Sequence, residues 1–427
     1  MPVELRPYQV DIARRGVSIL RRHGILYLAM EVRTGKTLTA LQIAYEIGAK
    51  SVLFCTRVKA MFSIQLDYEK AGYPFELDII NYESLHKITK AQEASFDLVI
   101  CDEAHSLGAF PHPSERARMV RRLVGHKNLI LLSGTPTPES YSQLFHQFWV
   151  SWNSPFPEAS FYSWAKQYVR VQSRYFYNRE VKDYKEADRD AVMEKCEHLF
   201  IKFSQEDAGF AEQVEEQIIT VRMKDSTLTG IERLKKNRVL TTKEGTVIAD
   251  TAVKLMSKLH QLHSGTVIVD QPIGPHDHYA FDMSKANAIK DLFTGKKIAI
   301  FYKFQAELGI LQWVFAGRIV ETPEQFNATG PDKVYLTQIQ SGREGINLAA
   351  ADALVMYNID FSAVSYWQAR ARLQSKDRLT PAMVYWIFSE DGIEFKIYEA
   401  VKAKKNYTLA YFVKDYDIKT EKKDKHG

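Results

Sequence analysis

The sequence predicts an α/β protein with two parallel-sheet domains and a helical insertion between them, on three observations. Across residues 26–132, short apolar runs (51–55, 77–80, 98–101 and 128–132) alternate with helical stretches. This is the pattern of a parallel sheet with helices on both faces. Between about Phe148 and Ala280 the chain turns aromatic-rich, charged and helical, as in 161–168 and 251–263. A second alternating series then appears at 297–301, 334–336, 353–357 and 384–388, without a second phosphate loop. The expected domains are 1–150, a helical insertion at 151–280, a second sheet domain at 281–415, and a basic tail at 416–427, expected to be disordered.

The first elements justify themselves in chain order. Ile25 to Ala29 reads as a short strand, Met30 to Gly35 as a turn, and Thr37 to Ile47 as an amphipathic helix with apolar residues at Leu38, Ala40, Leu41, Ala44 and Ile47. At that helix start stands Thr34-Gly35-Lys36-Thr37. A helix N-terminus offers free N–H groups and positive potential, Lys36 adds a charge for the β- and γ-phosphates, and the Thr37 hydroxyl suits Mg²⁺. The loop departs from its usual composition in front: Met30 occupies the first glycine position, and Arg33 stands where a further glycine is common. Arg33 either contacts a phosphate or points into solvent.

The apolar run 97–101 leads into Asp102-Glu103-Ala104-His105. A strand beside the phosphate-loop strand, ending in two carboxylates, places Asp102 to hold Mg²⁺ and Glu103 to orient an attacking water. That pairing suits hydrolysis rather than transfer to a second substrate. One strand further on, Ser133-Gly134-Thr135-Pro136 forms a turn rich in short hydroxyl residues.

Bulk properties set outer bounds. At 427 residues the chain exceeds what one core organises. No apolar stretch approaches the roughly 20 residues needed to cross a bilayer, and the start does not resemble a signal peptide. The 3 cysteines, Cys55, Cys101 and Cys196, lie far apart, with neither zinc spacing nor a disulfide framework, so a reducing compartment is expected. A net charge of +5 does not by itself point to nucleic acid.

With these motifs quoted, the sequence resembles superfamily-two helicases, closest to Swi/Snf-like DNA-dependent ATPases and translocases of compact viral or prokaryotic type. Leu5-Arg6-Pro7-Tyr8-Gln9, Asn81-Tyr82-Glu83, residues 342–348 and Gln368-Ala369-Arg370-Ala371-Arg372 continue the family's order, as does Ile393-Glu394. The resemblance implies two RecA-like domains, ATP and Mg²⁺ as cofactors, and nucleic-acid-dependent ATP hydrolysis. Arg6, Tyr8 and Gln9 would read and stack on the adenine. Ser133 and Thr135 would couple hydrolysis to movement, while Gly345 and Gln368 would line the nucleotide site. Arg372 would reach the γ-phosphate from the second domain. The family's next arginine is Ser375 here: Arg372 works alone, Lys376 or Arg378 compensates, or ATP is bound and poorly hydrolysed.

The partner implied is DNA, double-stranded or branched, gripped without sequence specificity by Arg57, Lys59, Asn81, Tyr82 and Lys303. Each of these residues reads equally well as an ordinary loop residue. Other replication or recombination proteins are possible partners, no membrane is expected, and the chain is expected to act as a monomer. Its expected location is the cytoplasm of a prokaryotic cell or a virus-infected host cell. The aromatic residues of the insertion either clamp a duplex or form a small core. Two other readings stay open: a helicase on single-stranded DNA or RNA, and an ATP-dependent clamp that hydrolyses poorly.

Overall fold

A computed structural model describes residues 4–176, 179–209, 214–243, 245–269, 277–339, 348, 350–362, 365–367, 382–403 and 406–416. The chain divides into two units, Met1–Ala211 and Glu212–Gly427.

The first unit is built on six parallel strands: β1 (Ile25–Met30), β2 (Ser51–Thr56), β3 (Glu76–Asn81), β4 (Leu98–Cys101), β5 (Asn128–Leu132) and, after the hairpin β6 (Gln172–Phe176) and β7 (Arg179–Asp183), β8 (Phe200–Phe203). Their spatial order is β3-β2-β4-β5-β1-β8. Alternate residues serve opposite faces, as a period of two requires. Ile25, Tyr27, Leu53, Cys55, Val99, Cys101, Leu129 and Leu131 face one core. Leu26, Leu28, Met30, Val52, Phe54, Leu98, Ile100, Ile130 and Leu132 face the other.

Helices cover both faces. On one side lie α1 (Pro7–His23), α2 (Lys36–Ile47) and α3 (Val58–Ala71), and α1 contributes Ile12, Ala13, Val17 and Leu20 to the core. Pro7 opens α1, where its missing N–H costs nothing, and the Gln9 side chain caps the Arg6 N–H at 2.9 Å. On the other side, after the short α4 (Lys90–Ser95), lie α5 (Glu115–Val124), α6 (Gln143–Trp149), α7 (Phe161–Tyr168) and α8 (Arg189–Cys196).

The second unit has another all-parallel sheet, with β9 (Val214–Val221), β14 (Ile298–Tyr302), β15 (Ile319–Val320), β16 (Val334–Gln338), β17 (Ala353–Met356) and β18 (Ala382–Ser389) in the order β15-β16-β14-β17-β18-β9. Two small antiparallel pairs stand apart: β10 (Val239–Thr241) with β11 (Thr246–Ile248), and β12 (Thr266–Val269) with β13 (Asp277–Ala280). On one face α9 (Asp225–Asn237), α10 (Ala252–His263), α14 (Glu394–Lys402) and α15 (Leu409–Asp415) pack over Phe301, Met356, Trp386 and Phe388. On the other, α11 (Ser284–Leu292) and α12 (Gln305–Val314) cover Ile300, Val355 and Ile387. The short α13 (Pro323–Ala328) adds Phe326 to the first of these faces.

Two expectations are corrected. Among the described residues of 151–280 there is no separate helical module. β8 hydrogen-bonds along β1 and closes the first sheet, whereas β9 pairs with β18 over its whole length and α10 lies in the second core. The aromatic residues expected either to clamp a duplex or to form a core do the latter, since Phe161, Trp164 and Tyr168 pack with Phe145 and Phe156. Second, β4 is not the neighbour of β1. β5 runs between them, pairing with each. Among the described residues, no helix is long and apolar enough to cross a membrane.

Candidate nucleotide site

All strands of the first sheet run the same way, so residues that follow them gather at one edge, the carboxyl edge, where open α/β sheets hold ligands. The loop 31–35 follows β1, Thr56 ends β2, Asp102 follows β4 and Ser133 follows β5. Because β5 intervenes, the ends of β1 and β4 stand about two strand spacings apart, roughly 10 Å. That gap gives room for a phosphate chain between Lys36 and the acidic pair, with Ser133 at its floor.

The loop keeps its shape without the usual glycines because other segments hold it. Its own Thr34 hydroxyl donates to the Glu31 carbonyl at 2.7 Å. The Tyr8 hydroxyl donates to the Thr34 carbonyl at 3.1 Å, and Gln9 Nε2 donates to the Gly35 carbonyl at 3.2 Å. From the far side, Gln205 donates its backbone N–H to the Glu31 carboxylate at 3.0 Å and its side-chain amide to the Val32 carbonyl at 2.9 Å. Arg33 adopts a left-handed φ of 64°. This explains why glycine is common at that position and locates about 1–3 kcal/mol of backbone strain in the loop. Arg33 is half-buried, and burial lowers its guanidinium pKa, which argues against the solvent-pointing alternative.

Gly35 begins α2 with φ 84°, and a Cβ there would stand 2.4 Å from Gln9 Nε2. Gly35→Ala is therefore expected to weaken ATP binding at least tenfold and to cost about 1–2 kcal/mol of stability, from left-handed strain plus displacement of Gln9. Nucleotide titration and thermal melting check this; wild-type affinity in the variant would show that the loop shape is not the binding shape. Beyond Gly35, the Lys36 amine and Thr37 hydroxyl make no hydrogen bond or ion pair among the described residues, and both stand at the amino end of α2.

Across the gap, the Thr56 hydroxyl donates to Asp102 Oδ2 at 3.0 Å, and the Tyr82 hydroxyl donates to the Asp102 carbonyl at 2.5 Å. Burial first, then the adjacent Glu103, raise the Asp102 pKa, against the opposing pull of Lys36 and Thr56. Asp102 and the adjacent Glu103, with the Thr37 hydroxyl across the gap, offer an all-oxygen donor set that suits Mg²⁺. Thr37 and Asp102 would hold the ion, which would supply charge neutralisation at the phosphates.

Glu103 is the second strained non-glycine, at φ 49°. Its Oε2 lies 3.3 Å from His105 Nδ1, which is itself 3.1 Å from Ser133 Oγ. Ser133 Oγ also accepts the Thr135 N–H at 3.1 Å. The acidic pair and the hydroxyl turn are thus one connected network, joined through His105.

The remaining sequence-derived residues divide. Gln9 has its carboxamide engaged by Arg6 and Gly35, and Tyr8 stacks on Phe203 with centroids 4.7 Å apart, so this structure places both beneath the loop as its supports. The Arg6 guanidinium donates to the Tyr8 hydroxyl at 2.7 Å. Tyr82 is corrected from a nucleic-acid contact to a core residue. It is 4% exposed, its hydroxyl is committed to Asp102, and Arg116 lies over its ring at 4.7 Å. Lys303 is likewise corrected: its amine pairs with Asp360 at 2.6 Å and lies 4.2 Å from the Phe361 ring, so its charge is neutralised locally. Arg57 and Asn81 sit at the carboxyl ends of β2 and β3, both partly buried. Gly345, Gln368, Arg372 and the Lys59 side chain lie outside the described residues.

Sequence reading missed Thr56, although the strand-end rule alone would have found it. It also missed the meeting of two cysteines. Cys55 and Cys101 stand directly opposite in the β2–β4 register, both fully buried. The neighbouring Cys101 thiol, then burial, raise the Cys55 pKa well above the ordinary range, which keeps it an inert core thiol.

Fold and site together define an α/β phosphate-loop protein with a second parallel-sheet unit that shows no phosphate loop among its described residues. Residues 66–264 match the family model described as SNF2-related domain. It is 32% identical over 80 residues to human "Lymphoid-specific helicase", covering 19% of this chain and 10% of that protein. To human "DNA repair and recombination protein RAD54-like" it is 29% identical over 22% of this chain and 13% of the relative. To the Saccharomyces cerevisiae "ISWI chromatin-remodeling complex ATPase ISW1" it is 21% identical over 94% of this chain and 40% of the relative. The chain thus spans well under half the length of these relatives. A solved structure, "Sulfolobus solfataricus SWI2/SNF2 ATPase core in complex with dsDNA", is similar with a TM-score of 0.42 and 15% identity, covering 98% of this chain and 96% of its own.

Proposed function

We propose that the chain is a DNA-dependent ATP hydrolase that uses ATP to translocate along duplex or branched DNA without sequence specificity. The observation that carries this reading is the arrangement at the carboxyl edge of the first sheet. Lys36 and Thr37 at the α2 amino terminus face Asp102 and Glu103, and Glu103 continues through His105 to Ser133. Lys36 and the α2 amides bind the phosphates. Glu103 orients the water and takes its proton as the water attacks the γ-phosphorus and the bond to the β–γ bridging oxygen breaks, that oxygen leaving with ADP. The loss of negative charge on Glu103 is felt by His105 and relayed to Ser133 and the Thr135 amide, which link hydrolysis to a shift of the 133–136 turn. Arg372 is assigned to the γ-phosphate on the family resemblance. DNA as the track follows from the names of relatives, one a DNA repair and recombination protein.

ATP hydrolysis by the purified protein tests this, alone and with duplex, branched and single-stranded DNA and with RNA, using Glu103→Gln as the blank. Stimulation of about tenfold or more by duplex or branched DNA is expected. Stimulation by single strands or RNA alone would replace the reading with a helicase acting on those substrates. Turnover at the blank with every nucleic acid would replace it with an ATP-binding clamp.

A further inference from the structure

The edge of the first sheet opposite the phosphate loop carries a second unusual surface. Along α1, Arg14, Ser18, Arg21 and Arg22 recur at helical spacing on one exposed face. With Val17 and Glu46 they line a groove of about 600 Å³. The one carboxylate there, Glu46, accepts a hydrogen bond from Gln42 at 2.9 Å. Arg21 donates to the Glu46 backbone carbonyl at 3.3 Å. Arg14 and Arg22 have no carboxylate partner among the described residues. Burial, then His198 with its ring 4.7 Å away, then Arg22 lower the pKa of His23, in keeping with positive surroundings.

Directly after α1, Gly24 lies against Asn153: a Cβ there would stand 2.4 Å from Asn153 Nδ2. Next to Asn153, Trp152 is 61% exposed yet fixed in place. Its backbone N–H donates to the Gly125 carbonyl at 3.0 Å, the Arg121 guanidinium lies 4.8 Å from its ring centre, and His126 stacks on it at 5.7 Å with 21° between planes. Arg21 and Arg22 alone could be read as a helix end complementing its dipole. Arg14, about two turns earlier, and a rigid exposed tryptophan are not explained that way.

We propose that this edge binds the sugar–phosphate backbone of a nucleic-acid strand, with Arg14, Arg21 and Arg22 taking phosphates and Trp152 taking a base face. Guanidinium forks match phosphate oxygens, and an exposed tryptophan ring beside a guanidinium is a stacking platform for unpaired bases. The site is separate from the nucleotide site: Gly24 precedes β1 and the phosphate loop follows it, with six residues, about 20 Å, between. Binding here requires no hydrolysis, so it stands or falls apart from the proposed motor activity.

The test measures binding of the full chain, without ATP, to a fluorescent single-stranded oligonucleotide and to the matching duplex over a salt series. The variants are Arg14→Gln/Arg21→Gln/Arg22→Gln, its Arg→Lys counterpart, and Trp152→Ala. Loss of three phosphate contacts should weaken single-strand binding about tenfold and make the salt slope shallower by about 2. The lysine version should keep the slope, and Trp152→Ala should weaken single strands more than duplex. A strand carrying iodouridine should photocrosslink to Trp152. Unchanged affinity and slope in the glutamine variant, with crosslinks elsewhere, would overturn the proposal. So would displacement by polyglutamate of equal charge as effective as by DNA, which would mark the edge as a surface for an acidic peptide.

Discussion

Asp102→Asn is expected to abolish Mg²⁺-dependent ATP hydrolysis while raising the thermal stability of the nucleotide-free protein at neutral pH. The activity loss follows from the donor set. Removing an outer partner of a metal ligand costs about 10–100-fold, so removing the ligand charge itself should cost at least about 100-fold. The stability gain follows from the raised Asp102 pKa, caused by burial and then by Glu103, with Lys36 and Thr56 opposing. A carboxyl group whose folded pKa lies above its unfolded value holds its proton more tightly when folded. Its favourable contribution is complete below the unfolded value, about 3.9 for Asp, and is lost as pH rises through the folded value. Ionising Asp102 as pH rises therefore costs the folded wild type more than it costs the unfolded chain, and asparagine avoids that cost. Melting curves of both proteins from pH 4 to pH 8 should converge at the acid end and separate with Asp102→Asn higher at the alkaline end. A variant that is less stable throughout would show that Asp102 serves as a structural anion instead.

Lys285→Met should produce the largest loss of stability outside the site. Lys285 and Glu394 form an ion pair of 2.6 Å in the second unit, with both side chains 0% exposed. Glu394 Oε2 has no other partner, and the Ser389 N–H reaches Oε1 only at 3.5 Å. Removing the lysine leaves a buried carboxylate with its counter-charge gone, at a cost of about 3–5 kcal/mol. The double variant Lys285→Met/Glu394→Leu should recover most of that loss, because it removes the uncompensated charge as well. Urea denaturation of the full chain reads both effects. A single variant within about 1 kcal/mol of wild type would mean that the carboxyl group takes up a proton there at small cost.

What could be read from the chain alone depended on how local each signal is. Thr34-Gly35-Lys36-Thr37 opens α2, and Asp102 follows β4, because a strand, a turn and a helix start are written in a few consecutive residues. The second sheet was legible for the same reason in β14, β16, β17 and β18. β9 was not: it lies at a sheet edge, only its end residues Val214 and Val221 are buried, and four of its side chains are polar, Glu215, Glu216, Gln217 and Thr220, so it does not read as an apolar run. Its pairing with β18, far along the chain, is what removes the supposed insertion.

The sequence by itself determined the periodicities, the phosphate-loop and acidic motifs, and the carboxyl-edge chemistry those motifs bring together. Only the tertiary structure decided which charges and hydroxyls are already committed. Lys303 looked like a free cation until Asp360 stood beside it, and Tyr82 looked like a surface aromatic until its hydroxyl met the Asp102 carbonyl. Cys55 and Cys101 looked unrelated until strand register set them opposite each other. A residue's type fixes what it can bond, but whether that capacity remains available depends on partners brought near by packing, and distant partners leave no periodic trace in the chain.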